Sequence, residues 1–329
     1  MSHEGSTGAG SEDRQLDLEV PRTLDGQRID RSIAMLTGLA RRAAADLVTE
    51  GRATVDGAVV RTRSHSLVAG QRLHVAITAA PPSGPVADAS VEFAVVAEDR
   101  QIVVIDKPAG LVVHHGAGHG GATLVDGLLA RYPDLAAITA GGIGDPGRPG
   151  IVHRLDKGTS GLMVVARTPE AFESLTRQFR DHRAARAYLA LVMGVVGADQ
   201  GVIDAPIGRS AREPTRMAVR SGGRPARTTY RVRDRFSSPT ACTLIEAELE
   251  TGRTHQVRVH LNAIGHPVVG DIRYGGGRAR PEALAGLLVA GRIFLHAYRL
   301  SIDHPDGGRF TWECELPADL RQVLALFTT

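Results

Sequence analysis

Hydrophobic and polar positions change their spacing several times along the chain. In SIAMLTGLARRAAADLVTEG (32–51), Leu36, Leu39, Ala43 and Leu47 recur at helical spacing, which predicts two short helices with Gly51 as a C-cap. Ala53-Thr54-Val55 and Ala58-Val59-Val60 flank Asp56-Gly57, a strong hairpin signal. Arg72-Leu73-His74-Val75 predicts a further strand after a turn at Gly70. AAPPSGPVADAS (79–90) holds three prolines and no apolar period, so it predicts a linker. From Val91 the runs become strand-like. VEFAVVAEDRQIVVIDKPAGLVVH (91–114) offers two apolar runs separated by charged turn residues. TLVDGLLARY (123–132) predicts a helix, LMVVA (162–166) a strand, and the arginine-rich stretch 207–235 β-hairpins. The start, MSHEGSTGAGSEDRQ, is polar and acidic and predicts a disordered tail. The expected organisation is therefore a tail over 1–15, a small domain over 16–78, a linker over 79–90 and a large domain over 91–329.

Composition refines this picture. The 329 residues carry 43% hydrophobic and 23% charged residues, ordinary globular values that exclude a fibre or a wholly disordered chain. Cys242 and Cys314 are the only cysteines, which excludes a disulfide scaffold or a cysteine-rich zinc site. No apolar run reaches membrane-spanning length, and the N-terminus lacks the features of a secretory signal, so a cytoplasmic protein is expected. The net charge of +3 is unevenly placed. Residues 1–20 hold five acidic residues and one basic; residues 21–80 hold nine basic and five acidic; residues 201–280 hold 14 basic and seven acidic. Basic blocks of that size suit a polyanion, while a solvated surface in an arginine-rich chain is the plain alternative. Arg41 and Arg42 begin the second predicted helix, where the dipole does not reward cations, and so point to a partner.

Three segments invite chemistry. Gly116 to Gly121 fits GxGxxG between a strand and a helix. The acidic residue at the required distance is Asp145, inside TAGGIGDPGRPG, with no second strand before it, which argues against a dinucleotide site. His114, His115 and His119 cluster nearby, but no HExxH, cysteine or paired carboxylate completes a metal site. A polar loop near a phosphate or base suits them better, and no metal is expected. In GIVHRLDKGTSGLMVVA (150–166), Asp156 is one carboxylate flanked by Arg154 and Lys157, on a loop freed by Gly158 and Gly161. That setting suits a nucleophile or a general base, and it also fits a loop carboxylate that only caps amides.

The segment 151–166 closely resembles the catalytic loop of the RluA-type pseudouridine synthases. Ile105-Asp106-Lys107-Pro108-Ala109-Gly110-Leu111-Val112-Val113-His114 matches that family's first motif. Arg186-Ala187-Tyr188-Leu189-Ala190-Leu191-Val192 matches the strand bearing its tyrosine. Residues 250–260, Glu-Thr-Gly-Arg-Thr-His-Gln-Val-Arg-Val-His, match a third motif that continues through Asp271. The resemblance covers about 91–329. Residues 16–78 resemble the S4-like RNA-binding domain first known from a ribosomal protein. It rests on Arg28-Ile29-Asp30, Leu39-Ala40-Arg41-Arg42, Leu47-Val48, Gly51, Val55-Asp56-Gly57 and Val68 to Leu73.

The resemblance implies an α+β fold, with a mixed, largely antiparallel sheet in the catalytic domain and a small α/β domain before it. It implies an isomerase that breaks the glycosidic bond of a uridine, rotates the uracil and rejoins it through carbon 5, with no cofactor. It places the catalytic aspartate at Asp156, as nucleophile or as base, the base-stacking tyrosine at Tyr188 and the aspartate's arginine partner at Arg258. Arg154 matches the residue that enters the RNA stack when the base flips out. Lys107, His114, Arg253, His255, Arg41 and Arg42 are the further candidate RNA contacts, and Ile151, Val257 and Leu295 the candidate uracil wall. The implied partner is RNA, bound by a monomer without a membrane. The type acting on 23S RNA of the large ribosomal subunit fits best. A tRNA or mRNA uridine, or a non-catalytic ribosome-assembly factor, stays open.

Overall fold

The computed structural model describes residues 14–39, 41–77, 84–115, 120–275 and 291–327. The chain packs as two units, the first ending at residue 83 and the second beginning at residue 84. The tail expected over 1–15 lies outside the described residues as far as 13. Arg14 and Gln15 do not belong to it. They begin a strand, β1 (Arg14–Glu19), whose alternating Leu16 and Leu18 pair with a later strand of the same unit.

The first unit continues with α1 (Ile29–Thr37), α2 (Arg41–Thr49), β2 (Ala53–Val55), β3 (Ala58–Val60) and β4 (Arg72–Ile77), and its sheet runs β1-β4-β2-β3. Asp56 (φ 51°) and Gly57 (φ 82°) make the β2–β3 turn, a conformation that Asp-Gly adopts at low cost. The helical stripe differs from the expected one. Leu36 is 38% exposed, whereas Ile29, Ile33, Ala44 and Val48 are fully buried. Gly38, at φ 74°, ends α1, so a spacing counted across it does not define a face. Arg41 and Arg42 do open α2, and their side chains lie outside what is described.

The second unit comprises β5 (Ala94–Glu98), β6 (Ile102–Lys107), α3 (Leu124–Arg131), α4 (Leu135–Ala140), β7 (Ser160–Ala166), α5 (Pro169–Arg180), β8 (Ala185–Met193), β9 (Gln200–Asp204), β10 (Ile207–Arg209), β11 (Met217–Val219), β12 (Arg227–Phe236), β13 (Cys242–Leu249), α6 (Gln256–Ala263), β14 (Leu295–Asp303), β15 (Arg309–Glu313) and α7 (Ala318–Leu324). The large sheet runs β5-β6-β7-β14-β8-β13-β12-β9, with β15 on the far end of β14. Every pairing is antiparallel except β14 with β7, so the fold is α+β on a mixed, largely antiparallel sheet. β6 is antiparallel to both neighbours, which removes the parallel unit that a dinucleotide loop requires.

Both faces of the central strands are covered. Val103, Ile105, Met163 and Val165 pack under α3 and α6, while Ile102, Val104, Leu162 and Val164 pack under α5. That explains why 162–166 reads as an uninterrupted apolar run. Thr123 caps α3 in a reciprocal box with Asp126, and Thr168 caps α5 ahead of Pro169. Asp126 also accepts from the backbone N–H of Val86, and its carbonyl accepts from that of Asp88. Residues 84–90, expected as linker, are therefore bound to α3. The prolines disguise a segment whose amides find their partners elsewhere in the unit.

Candidate active site

Asp156 sits in the loop that enters β7. Gly110 donates its N–H to the carbonyl of Lys157 (2.7 Å), and the buried Arg292 donates Nη1 to the carbonyl of Gly158 (2.9 Å). Arg292 is held in turn by Asp319 on α7, at 2.6 Å. The loop is thus fixed on two sides by segments remote in sequence. Gly161 explains part of its backbone: φ is +119°, and a Cβ there would lie 2.3 Å from the Ala297 carbonyl.

Arg258 projects from the first turn of α6. Its Nη1 donates to Asp156 Oδ2 at 2.9 Å. Its Nε and Nη2 grip Asp271 at 2.6 and 3.0 Å, and Tyr274 lies beneath its guanidinium. Asp271 is buried and also accepts from the N–H groups of Arg273 and Tyr274. Burial alone would lower the Arg258 pKa, but the hydrogen bonds to Asp271 and the two carboxylate charges outweigh it and raise the pKa. The start of α6 is braced by Gln256. It accepts from Thr251 and from the Arg253 amide, and donates to the Arg227 carbonyl and Thr228. His255 caps the helix in the left-handed region, φ 57°, uncommon for a residue with a Cβ. Its Nδ1 meets the Tyr274 hydroxyl at 2.7 Å and its Nε2 lies 3.8 Å from Asp156. Burial pushes its pKa down, Arg258 and Arg273 adding to the effect and Asp156 opposing it.

Asp156, His255 and Arg258 face a cavity of about 530 Å³. Tyr188, from β8, lines it and is 6% exposed. Burial raises its pKa, with Arg186 opposing and Asp156 reinforcing. Ile151, Val257 and Leu295 line it as well, and all three belong to the same apolar core as Tyr188. Among the described residues, seven arginines line the cavity and one carboxylate, Asp156. Arg154 is exposed at its rim; Arg253 is half-buried and donates to the Pro225 carbonyl. His114 also lines the cavity, its Nδ1 buried without a partner, its pKa lowered by burial and by Arg154 and Arg148. The site is thus shaped to hold a neutral planar group against an apolar wall beside one carboxylate, with an anion at the rim.

The sequence-predicted residues of the second unit converge here with one exception, Lys107. Arg41 and Arg42 belong to the first unit. Lys107 is corrected outright: it is fully buried, and its Nζ donates to the carbonyls of Pro108 and Leu111 at 2.8 and 2.9 Å. Burial pushes its pKa down to about 7 against the attraction of Asp156 and Asp106. It braces the first motif from inside the core. Asp271, Arg186, Tyr274 and Phe179 carry no sequence signal that marks them for the site. Asp271 and Arg186 stood within the quoted motifs, but no local signal gives a buried charge its partner.

The family model described as RNA pseudouridylate synthase matches residues 101–263. The "Ribosomal large subunit pseudouridine synthase D" of Pseudomonas aeruginosa is 45% identical over 317 residues, covering 94% of each chain. The protein of that name from Nitrosomonas europaea is 40% identical over 323 residues, 97% of this chain and 90% of its own. Among solved structures, "Human RNA Pseudouridylate Synthase Domain Containing 1" aligns with a TM-score of 0.55 and 29% identity, over 72% of this chain and 88% of its own. With relatives this similar over nearly its full length, and with Asp156, Tyr188 and Arg258 gathered at one cavity, the chain belongs to the RNA pseudouridine synthase family.

Proposed function

We propose that this protein isomerises uridine to pseudouridine in large-subunit ribosomal RNA, with Asp156 as the catalytic carboxylate. The observation that carries the proposal is the joint placement of Asp156, Arg258 and Tyr188 on one cavity ringed by arginines. Tyr188 and the wall of Ile151, Val257 and Leu295 would receive the flipped uracil. Asp156 would act at the sugar, as nucleophile or as base, while Arg258 keeps it aimed. Arg154 would fill the gap left in the RNA stack, since a guanidinium plane both stacks and carries charge. Arg253, with other rim arginines, would meet phosphates and supply affinity that is salt-sensitive and largely independent of sequence. The first unit would add further RNA contacts through Arg41 and Arg42. The ribosomal substrate rests on the names of the relatives.

The test is a pseudouridine map of total RNA from cells with and without the protein. One or more signals in large-subunit ribosomal RNA should disappear and return with the wild-type chain, but not with Asp156→Asn. Loss confined to tRNA would move the substrate, and an unchanged map would overturn the proposal.

A further inference from the structure

Three arginines are buried among the described residues: Arg186, Arg258 and Arg292, at 8%, 9% and 3% exposure. Arg258 has Asp156 and Asp271; Arg292 has Asp319. No carboxylate among the described residues pairs with Arg186, and its Nε is buried without a hydrogen-bond partner. Its guanidinium lies over the ring of Phe179, 5.2 Å from the centroid, which fixes its plane without neutralising it. Burying an unpaired cation is costly, and folds keep such groups where something else supplies the counter-charge. Burial accordingly lowers its pKa.

Arg186 and Tyr188 are two residues apart on β8, so they leave the same face of the sheet about 7 Å apart. Both line the cavity. That spacing is comparable to the span from a nucleobase to its own phosphate. A glycine stands beside the guanidinium tip. A Cβ on Gly252 would come within 2.8 Å of Arg186 Nη1, and Gly252 is itself exposed at the cavity. A side chain at 252 would crowd the tip at the cavity that both residues line.

We propose that Arg186 is the receptor for the phosphodiester of the reacting uridine, holding the nucleotide by its backbone while its base lies against Tyr188. The proposal rests on the pseudouridine synthase reading above and assigns a group that the reaction leaves unspecified. A phosphate suits the site better than a uracil carbonyl. The neutral base has the apolar wall of Ile151, Val257 and Leu295, whereas a planar guanidinium matches two phosphate oxygens at once. The anion would complete the ion pair that the free protein lacks, so docking and neutralisation are one event.

The test uses the full chain and an RNA containing the mapped uridine, under single-turnover conditions. Arg186→Gln should lose about 10- to 100-fold in rate, the usual scale for a charge-assisted hydrogen bond. The two phosphodiesters flanking the uridine are then replaced singly by neutral methylphosphonates. Wild type should lose a comparable factor at one linkage, and Arg186→Gln should lose little further at that linkage. A variant as sensitive as wild type at both linkages, or a wild type indifferent to both, would overturn the assignment. If Arg186→Gln does not fold, Arg186→Met, which removes the buried charge with a similar shape, gives the same comparison. Wild-type turnover of the unmodified RNA, measured in the same series, separates failure of this assignment from failure of the reaction beneath it.

Discussion

Arg258 and Asp271 form a buried, two-pronged pair, Nε to Oδ2 at 2.6 Å and Nη2 to Oδ1 at 3.0 Å. Only Nη1 is left for Asp156, so the aim of the candidate catalytic carboxylate is set by an aspartate that does not touch the cavity. Asp271→Ala should cost about 3 kcal/mol of stability, because it breaks a buried two-pronged pair and leaves Arg258 with Asp156 alone. Asp271→Asn should be milder in stability yet slow the single-turnover rate, because one prong of the pair is lost. Chemical denaturation and a pseudouridine time course check both. Wild-type turnover by Asp271→Asn would show that Arg258 is positioned by something else.

Arg154 stands at the rim, exposed and without a carboxylate partner among the described residues. If it fills the vacated stack, Arg154→Ala should slow turnover more than it weakens initial RNA binding, since flipping costs about a few kcal/mol of unstacking. Binding by filter retention and rate by single turnover separate the two effects. Equal single-turnover rates for variant and wild type would reject this role.

Gly161 is a backbone requirement of the loop that carries Asp156. Gly161→Ala forces a left-handed φ on a residue with a Cβ and drives that atom into the Ala297 backbone. A loss of more than about 3 kcal/mol is expected, at the severe end for a point change. Gly197→Ala is the control, since a Cβ there meets nothing within 4 Å. A thermal melt distinguishes them, and similar melting temperatures would contradict the register of β7 against β14.

Half-buried His153 and fully buried His296 set an acid limit on stability. Burial, with Arg186 adding to it, pushes His153 down to about 3; burial, with Arg292 adding to it, pushes His296 down to about 4. Between the unfolded value near 6.5 and these folded values, the unfolded chain binds more protons. Stability is therefore present above pH 6.5 and is lost as pH falls through that window, by up to about 1.4 kcal/mol per unit per histidine. His153 Nε2 accepts from the Val164 amide, a bond that glutamine can replace. The urea midpoint of His153→Gln should fall less steeply from pH 6.5 to 4 than that of wild type. Parallel profiles would mean that His153 is protonated in the fold.

What the sequence determined by itself was local or collinear. The Asp56-Gly57 turn and the strand over 162–166 depend on residues close along the chain, and the fold bears them out. The resemblance supplied the roles assigned to Asp156, Tyr188 and Arg258. Tertiary structure decided what depends on burial and on partners far away. Lys107 reads as a candidate RNA contact within the first motif, yet packing encloses it and turns its ammonium to two carbonyls. Arg258 finds Asp156 across 102 positions and is shared with Asp271. Arg186 resembles every other arginine of a basic chain until the sheet buries it without a counter-charge. A residue type fixes charge and reach, but the cost of a charge depends on the dielectric and the partners around it, and those exist only once the chain has folded.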